Sequence, residues 1–158
     1  MKKEKEKIRT QIIKSLEVYK GKSGFIFFDS SDSNPLSNEV ALDDNDLEVL
    51  LMNLDESNWI LLTTKCLFIK QNGISIRING IEILGFEFLN LLHVKNKEKA
   101  AEFKIPGEFK SWLYSGDFKI TKKDNTDVVV NLPHHDFGFC LFNAIKKLRF
   151  VTNKYEGI

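Results

Sequence analysis

Apolar positions recur along this chain with two different periods, and the change of period marks its elements. Between residues 4 and 20, Ile8, Ile12, Ile13, Leu16 and Tyr19 fall at helical spacing, while Glu4, Lys5, Lys7, Lys14 and Glu17 lie mostly elsewhere on the wheel. This predicts an amphipathic N-terminal helix that Gly21 ends. Gly24-Phe25-Ile26-Phe27-Phe28 then reads as a short buried strand, followed by an Asp/Ser/Asn/Pro loop over residues 29–38. Leu47, Leu50, Leu51 and Leu54 return to helical spacing behind an acidic first turn, and Asn45 with Glu48 has capping-box spacing, so a short helix is expected over residues 45–54.

From residue 58 to 84 the period shortens. Trp59 to Thr63, Cys66 to Lys70, Ile74 to Ile78 and Ile81 to Leu84 are runs rich in β-branched and aromatic residues, separated by Thr64-Lys65, Gln71-Asn72-Gly73 and Asn79-Gly80. Asn-Gly suits a two-residue hairpin turn because both of its central positions need positive φ. Four consecutive strands in an antiparallel meander follow, with Ile74, Ile76 and Ile78 facing the core and Ser75, Arg77 and Asn79 facing water. Phe86 to Val94 continues apolar, and residues 95–104 form a charged excursion punctuated by Pro106-Gly107. Asp117 to Thr121 and Thr126 to Leu132 make a further hairpin around Lys122-Lys123-Asp124-Asn125.

After Pro133, Asp136 is the expected N-cap of a closing helix. Its apolar stripe is Phe137, Leu141, Ile145 and Leu148, and Lys146, Lys147 and Arg149 lie near its end, where the dipole favours cations. The fold class expected is α+β: an antiparallel β-meander closed by the C-terminal amphipathic helix, with an extra N-terminal helix (1–21). At 158 residues roughly two thirds of the unfolded surface can be buried, so one domain spanning 1–158 is expected, without a disulfide framework. The predicted core is Trp59, Leu61, Ile74, Ile76, Ile78, Phe137, Leu141, Ile145 and Leu148. Cys66 and Cys140, each inside an apolar run, are expected to be buried free thiols.

Charge changes the picture more than composition does. The net charge is only +1, yet residues 29–58 hold nine acidic side chains and no Lys or Arg, which leaves 13 acidic and all 23 basic residues for the rest of the chain. Like charges at that density repel, a cost that a cationic partner relieves. Asp43, Asp44, Asp46, Glu48, Asp55 and Glu56 are therefore the candidate partner-binding residues, read as a solvated acidic face with no burial to raise a pKa.

Known catalytic patterns are not found: there is no P-loop, dinucleotide fingerprint, H-E-x-x-H, paired C-x-x-C or G-x-S-x-G. His134-His135-Asp136 reads as capping or surface residues, because neighbouring side chains diverge and rarely chelate one ion; no metal or cofactor is expected. His93, in an apolar run, reads as structural. Basic residues are dispersed among acids, which disfavours nucleic acid. Without a secretory h-region or an 18-residue apolar window, a cytoplasmic location is expected.

The run Trp59-Ile60-Leu61-Leu62-Thr63-Thr64-Lys65-Cys66-Leu67-Phe68-Ile69-Lys70 resembles a strand pair of bacterial pleckstrin-homology-like domains, and residues 137–148 resemble their closing helix. The resemblance covers residues 24–150. It implies a sandwich or partly open barrel of about seven strands plugged by the helix. It also implies a binding role: some members resemble immunity proteins that neutralise toxins stoichiometrically, and others bind phosphoinositides through paired basic residues, for which Lys70 and Arg77 are spaced. The leading expectation is a non-catalytic protein-binding module, in its most concrete form an immunity protein facing a basic toxin. The alternative is a lipid or membrane-surface binder using the N-terminal helix with Lys2, Lys3, Lys5, Lys7 and Arg9.

Overall fold

The computed structural model describes residues 2–29, 39–93, 102 and 107–155, so the loop over 30–38, nearly all of the 95–104 excursion and the side chain of His93 lie outside the described residues. The chain is α+β. It carries two antiparallel sheets, of five and three strands, an N-terminal helix and a C-terminal helix. Strand pairing stops at the end of the first sheet and starts afresh in the second, so the sheets do not close into one barrel. Two compact units form, one from residues 1–81 with 143–158 and the other from 82–142.

In the first unit, helix α1 (Lys2–Ser15) and a 3₁₀ turn (Glu17–Tyr19) precede β1 (Phe25–Phe27), β2 (Glu48–Asn53), β3 (Trp59–Thr63), β4 (Cys66–Gln71) and β5 (Ile74–Asn79), ordered β1-β2-β3-β4-β5. Gly21 at φ +84 ends the helical segment, as its sequence position implies. Every residue of central β3 is buried, so both faces of the sheet are covered there. On one face Leu51, Trp59 and Leu61 pack with Phe28 and Val40, and Leu42 and Phe68 extend the cluster. Helix α1 packs beside β2 and buries Ile12 and Leu16 completely. The Arg9 side chain donates to the Glu48 carbonyl at 2.8 Å and pairs with the Glu48 carboxylate at 3.5 Å.

Three expectations fail in this unit. The short helix over 45–54 is strand β2: Val49-Leu50-Leu51-Met52 is a continuous apolar run, and a strand flanked on both sides buries such a run on both its faces. The leucine spacing alone imitates a helix. The two Asn-Gly pairs also part company. Asn72 (φ 54) and Gly73 (φ 79) make the β4–β5 hairpin turn, whereas Asn79 and Gly80 keep negative φ, and Gly80–Glu82 forms a 3₁₀ turn leading to the other sheet. Gly80 is needed for space, since a Cβ there lies 2.8 Å from the Thr152 side chain. Finally, Ile78 is buried but Ile74 and Ile76 are not. Ile76 pairs with buried Ile69, but β5 is the last strand of this sheet among the described residues, and cover reaches it only at its Ile78 end, so exposure rises from Ile78 through Ile76 to Ile74.

The second unit contains β6 (Ile83–Phe88), a 3₁₀ segment (Leu89–His93), the unforeseen helix α2 (Glu108–Leu113), β7 (Gly116–Lys122), β8 (Asp127–Leu132) and the start of α3 (His135–Tyr155), in sheet order β6-β7-β8. The β7–β8 hairpin is as expected, with Asn125 at φ 69 in its turn. Phe88 forms edge contacts with Phe118 (4.9 Å) and Tyr114 (5.2 Å) and stacks on Phe142 at 5.8 Å. Gly138 lets the helix approach α2: a Cβ there falls 1.9 Å from the Tyr114 carbonyl oxygen. Phe137, Leu141, Ile145 and Leu148 are buried as predicted, as are both free cysteines.

Candidate functional site

The six acidic residues singled out from the sequence do not form one surface. Because residues 48–53 are extended, Asp43, Asp44 and Asp46 precede the strand, and Asp55 and Glu56 follow it at the opposite end of the sheet, roughly 17 Å away at the rise of a β-strand. A helix of the same length holds its ends about 8 Å apart. Asp43, Asp44, Asp55 and Glu56 are exposed, Glu48 is half-buried, and Asp46 is buried.

Asp46 is a structural acid. Its Oδ1 accepts hydrogen bonds from the Leu47 amide (2.9 Å), the Thr64 hydroxyl (2.7 Å) and the Lys65 amide (3.2 Å), and its Oδ2 accepts from the Thr63 hydroxyl at 2.7 Å. Burial pushes its pKa up, and the four hydrogen bonds offset that only in part. The expectation of a solvated carboxylate is corrected here: Asp46 ties the start of β2 to the β3–β4 turn. Asp55 behaves in the opposite way. It is exposed, and the Ser57 amide, the Asn58 side chain and the Asn58 amide donate to it, which lowers its pKa. Asn58 Oδ1 in turn accepts from the Asn72 amide at 3.0 Å, joining this turn to the β4–β5 hairpin.

Much of the acidic charge is compensated within the chain by cations from outside residues 29–58. Lys20 pairs with Asp29 at 2.6 Å, Lys70 with Glu39 at 2.8 Å, Arg77 with Asp43 at 3.1 Å and Arg9 with Glu48 at 3.5 Å. The Lys5 ammonium donates to the Asp44 carbonyl, leaving that carboxylate outward. Self-repulsion is thereby reduced at Asp29, Glu39, Asp43 and Glu48. Lys70 and Arg77, spaced for a phosphate, are each matched to a carboxylate. The apolar stripe of α1 is likewise committed, since Ile12 and Leu16 are fully buried and Arg9 is engaged with Glu48. Among the described residues no helix is long and apolar enough to cross a membrane.

What the tertiary structure adds is the edge of β5. Its first four residues, Ile74 to Arg77, are exposed, with Ile74 at 64%, and no strand pairs with its outer side among the described residues. One face of this edge shows Ile74 and Ile76. The other holds Arg77 over the Phe68 ring at 5.7 Å, and the Glu39–Lys70 and Asp43–Arg77 pairs lay residues 39–43 along β4 and β5. The open edge thus carries two exposed isoleucines on one face and the paired Glu39 and Asp43 on the other, with exposed Asp44 next along the chain. The sequence placed Ile74 and Ile76 in the core, and it carried no signal of their exposure, because edge position is a property of strand order.

No family model matches the chain, and neither does any curated protein or solved structure.

Proposed function

We propose that this chain is a non-catalytic protein-binding module that docks a basic segment of another protein along the β5 edge. The exposed run Ile74 to Arg77 on a terminal strand carries the reading. Open edges invite strand pairing and are ordinarily blunted by charge, bulges or cover, so an edge bearing two exposed isoleucines suits an added strand. The exposed Asp44 carboxylate, which is outside the Glu39–Lys70 and Asp43–Arg77 pairs, favours lysines and arginines on that segment, chiefly through the association rate, and the paired Glu39 and Asp43 keep the local charge from being net basic. The resemblance to pleckstrin-homology-like domains fits such a role. In its most concrete form the module is a cytoplasmic immunity protein that neutralises a basic toxin stoichiometrically. Asp46 supports the partner surface from within, by fixing where residues 43 and 44 emerge.

The test is comparative capture with the wild-type chain, Ile76→Lys, an Asp43→Asn/Asp44→Asn double variant and, as a control at another exposed apolar residue, Phe150→Ala. A partner held by wild type and by Phe150→Ala, lost from Ile76→Lys and bound more slowly by the double variant at low salt, is the expected result. Equal retention by Ile76→Lys rules out the β5 edge. For the immunity form, co-expression with the product of the neighbouring coding sequence gives protection that Ile76→Lys abolishes.

A further inference from the structure

The turn between β8 and α3 was expected to hold two diverging histidines, and it holds converging ones. The His134 and His135 rings lie side by side, with centroids 4.1 Å apart and planes tilted by 32°. The helix begins at His135 rather than at an Asp136 cap. His134 is the capping residue, its Nδ1 accepting the Asp136 amide at 3.1 Å and its carbonyl accepting the Phe137 and Gly138 amides. A cap residue has non-helical backbone, which frees the His134 ring to swing back over the first turn beside that of His135. Asp136, now in that turn, faces both: Oδ2 is 3.6 Å from His134 Nδ1 and Oδ1 is 3.7 Å from His135 Nε2.

We propose that His134, His135 and Asp136 form a binding site for a borderline divalent transition metal of the zinc class. One donor atom from each residue lies within 4.8 Å of the other two. At bond lengths of about 2.0–2.2 Å, two donors of a tetrahedral ion sit roughly 3.4 Å apart. Each imidazole nitrogen already has one Asp136 oxygen near that spacing, a different oxygen for each, and side-chain rotation within the 4.8 Å cluster brings a single oxygen to both. The His134 ring is exposed enough to move, while His135 is steadied edge-on against Phe139 at 5.9 Å. Two imidazoles and one carboxylate suit zinc, nickel or copper(II) and are poorly matched to calcium or magnesium, which take oxygen ligands. The Asp136 charge offsets the positive end of the helix dipole, which otherwise disfavours a cation there. Ligation through His134 Nδ1 exchanges its hydrogen bond with the Asp136 amide for a coordinate bond, so the ion takes over the task of fixing the entry into α3.

Zinc chloride titrated into the untagged chain, followed by calorimetry and by melting temperature with magnesium as control, tests this. One zinc per chain, a melting temperature that rises with zinc and not with magnesium, and an affinity weakened about tenfold or more in His135→Ala and in Asp136→Asn are expected. His134→Ala also removes the cap, so His135→Ala carries the test: without metal it melts close to wild type, and it loses the zinc-dependent rise. Absence of that rise in wild type, or zinc binding by His135→Ala as tight as wild type, overturns the proposal.

Discussion

The Thr64 hydroxyl donates to the buried carboxylate of Asp46 at 2.7 Å, joining the β3–β4 turn to the start of β2, 18 positions earlier. Thr63 and two amides complete the set, so this acid organises the end of the sheet at which the acidic segment emerges.

Replacing Asp46 by Ala removes an acceptor shared by four donors, but the Leu47 and Lys65 amides keep the Thr64 and Thr63 hydroxyls at 3.1 and 3.3 Å and the Thr63 hydroxyl keeps the Cys66 carbonyl, so the Thr64 hydroxyl is the donor left unsatisfied. At about 1–3 kcal/mol for such a buried group, the expected loss by urea denaturation is roughly 1–3 kcal/mol. Asp46→Asn keeps the Oδ1 bonds, and its amide meets a Thr63 hydroxyl that can donate instead to the Cys66 carbonyl, 3.2 Å away. The pH dependence separates the two effects. Asp46 has a folded pKa above its ordinary 3.8, so the folded state holds its proton more tightly, and the wild-type chain loses stability as pH rises from near 3.8 through the raised value. Asp46→Asn removes that decline. Parallel stability curves for wild type and Asp46→Asn between pH 3.5 and about 7 contradict the burial of this charge.

Gly138→Ala sets helix propensity against space. Alanine favours the helix by about 1 kcal/mol, but its Cβ falls 1.9 Å from the Tyr114 carbonyl, a backbone atom that cannot rotate away. A net destabilisation of about 2 kcal/mol or more is expected by thermal denaturation, as for overpacking that shifts backbone. A rise in melting temperature shows that α2 and α3 do not approach so closely.

Leu141 and Ile76 were given the same status from the sequence and differ in the structure. Leu141→Ala removes a fully buried side chain and is expected to cost about 2–5 kcal/mol. Ile76→Ala, on the open edge, is expected to stay within about 0.5 kcal/mol of wild type. Similar losses in chemical denaturation for both variants place Ile76 in the core after all.

Both cysteines are free and buried, and burial pushes both thiols up in pKa; for Cys66 the nearby Asp46 carboxylate adds to the effect. Neither is expected to react with a thiol reagent in the native chain, and both should label on unfolding, with two equivalents counted by mass. Rapid native labelling of either refutes its burial.

Local rules made much of this protein legible from its residues. The amphipathic period of residues 4–20 marked α1, the Asn72-Gly73 turn marked the β4–β5 hairpin, the alternating run beyond Asp117 marked β7 and β8, and the stripe from Phe137 to Leu148 marked the buried side of α3. Each depends on interactions within a few residues or on a periodicity the segment itself contains. The candidate site was less legible. Acidic residues close in the sequence were read as one patch, but their separation depends on whether Glu48–Asn53 is a helix or a strand, and pairing with both β1 and β3 decides that.

The sequence by itself determined the α+β class, most of the element boundaries and which helix stripes are buried, because hydrophobic periodicity and turn chemistry are written residue by residue. Tertiary structure alone decided that Asn79-Gly80 leads to a second sheet rather than a hairpin, that Asp46 is interior, that Arg9, Lys20, Lys70 and Arg77 pair with Glu48, Asp29, Glu39 and Asp43, and that β5 ends its sheet with Ile74 and Ile76 uncovered. The physical reason is common to all four. Apart from the Lys20–Asp29 pair, nine positions apart, each depends on which segments remote along the chain come together, and neither the burial of a carboxylate nor the exposure of an isoleucine is fixed until strand order determines what lies beside it.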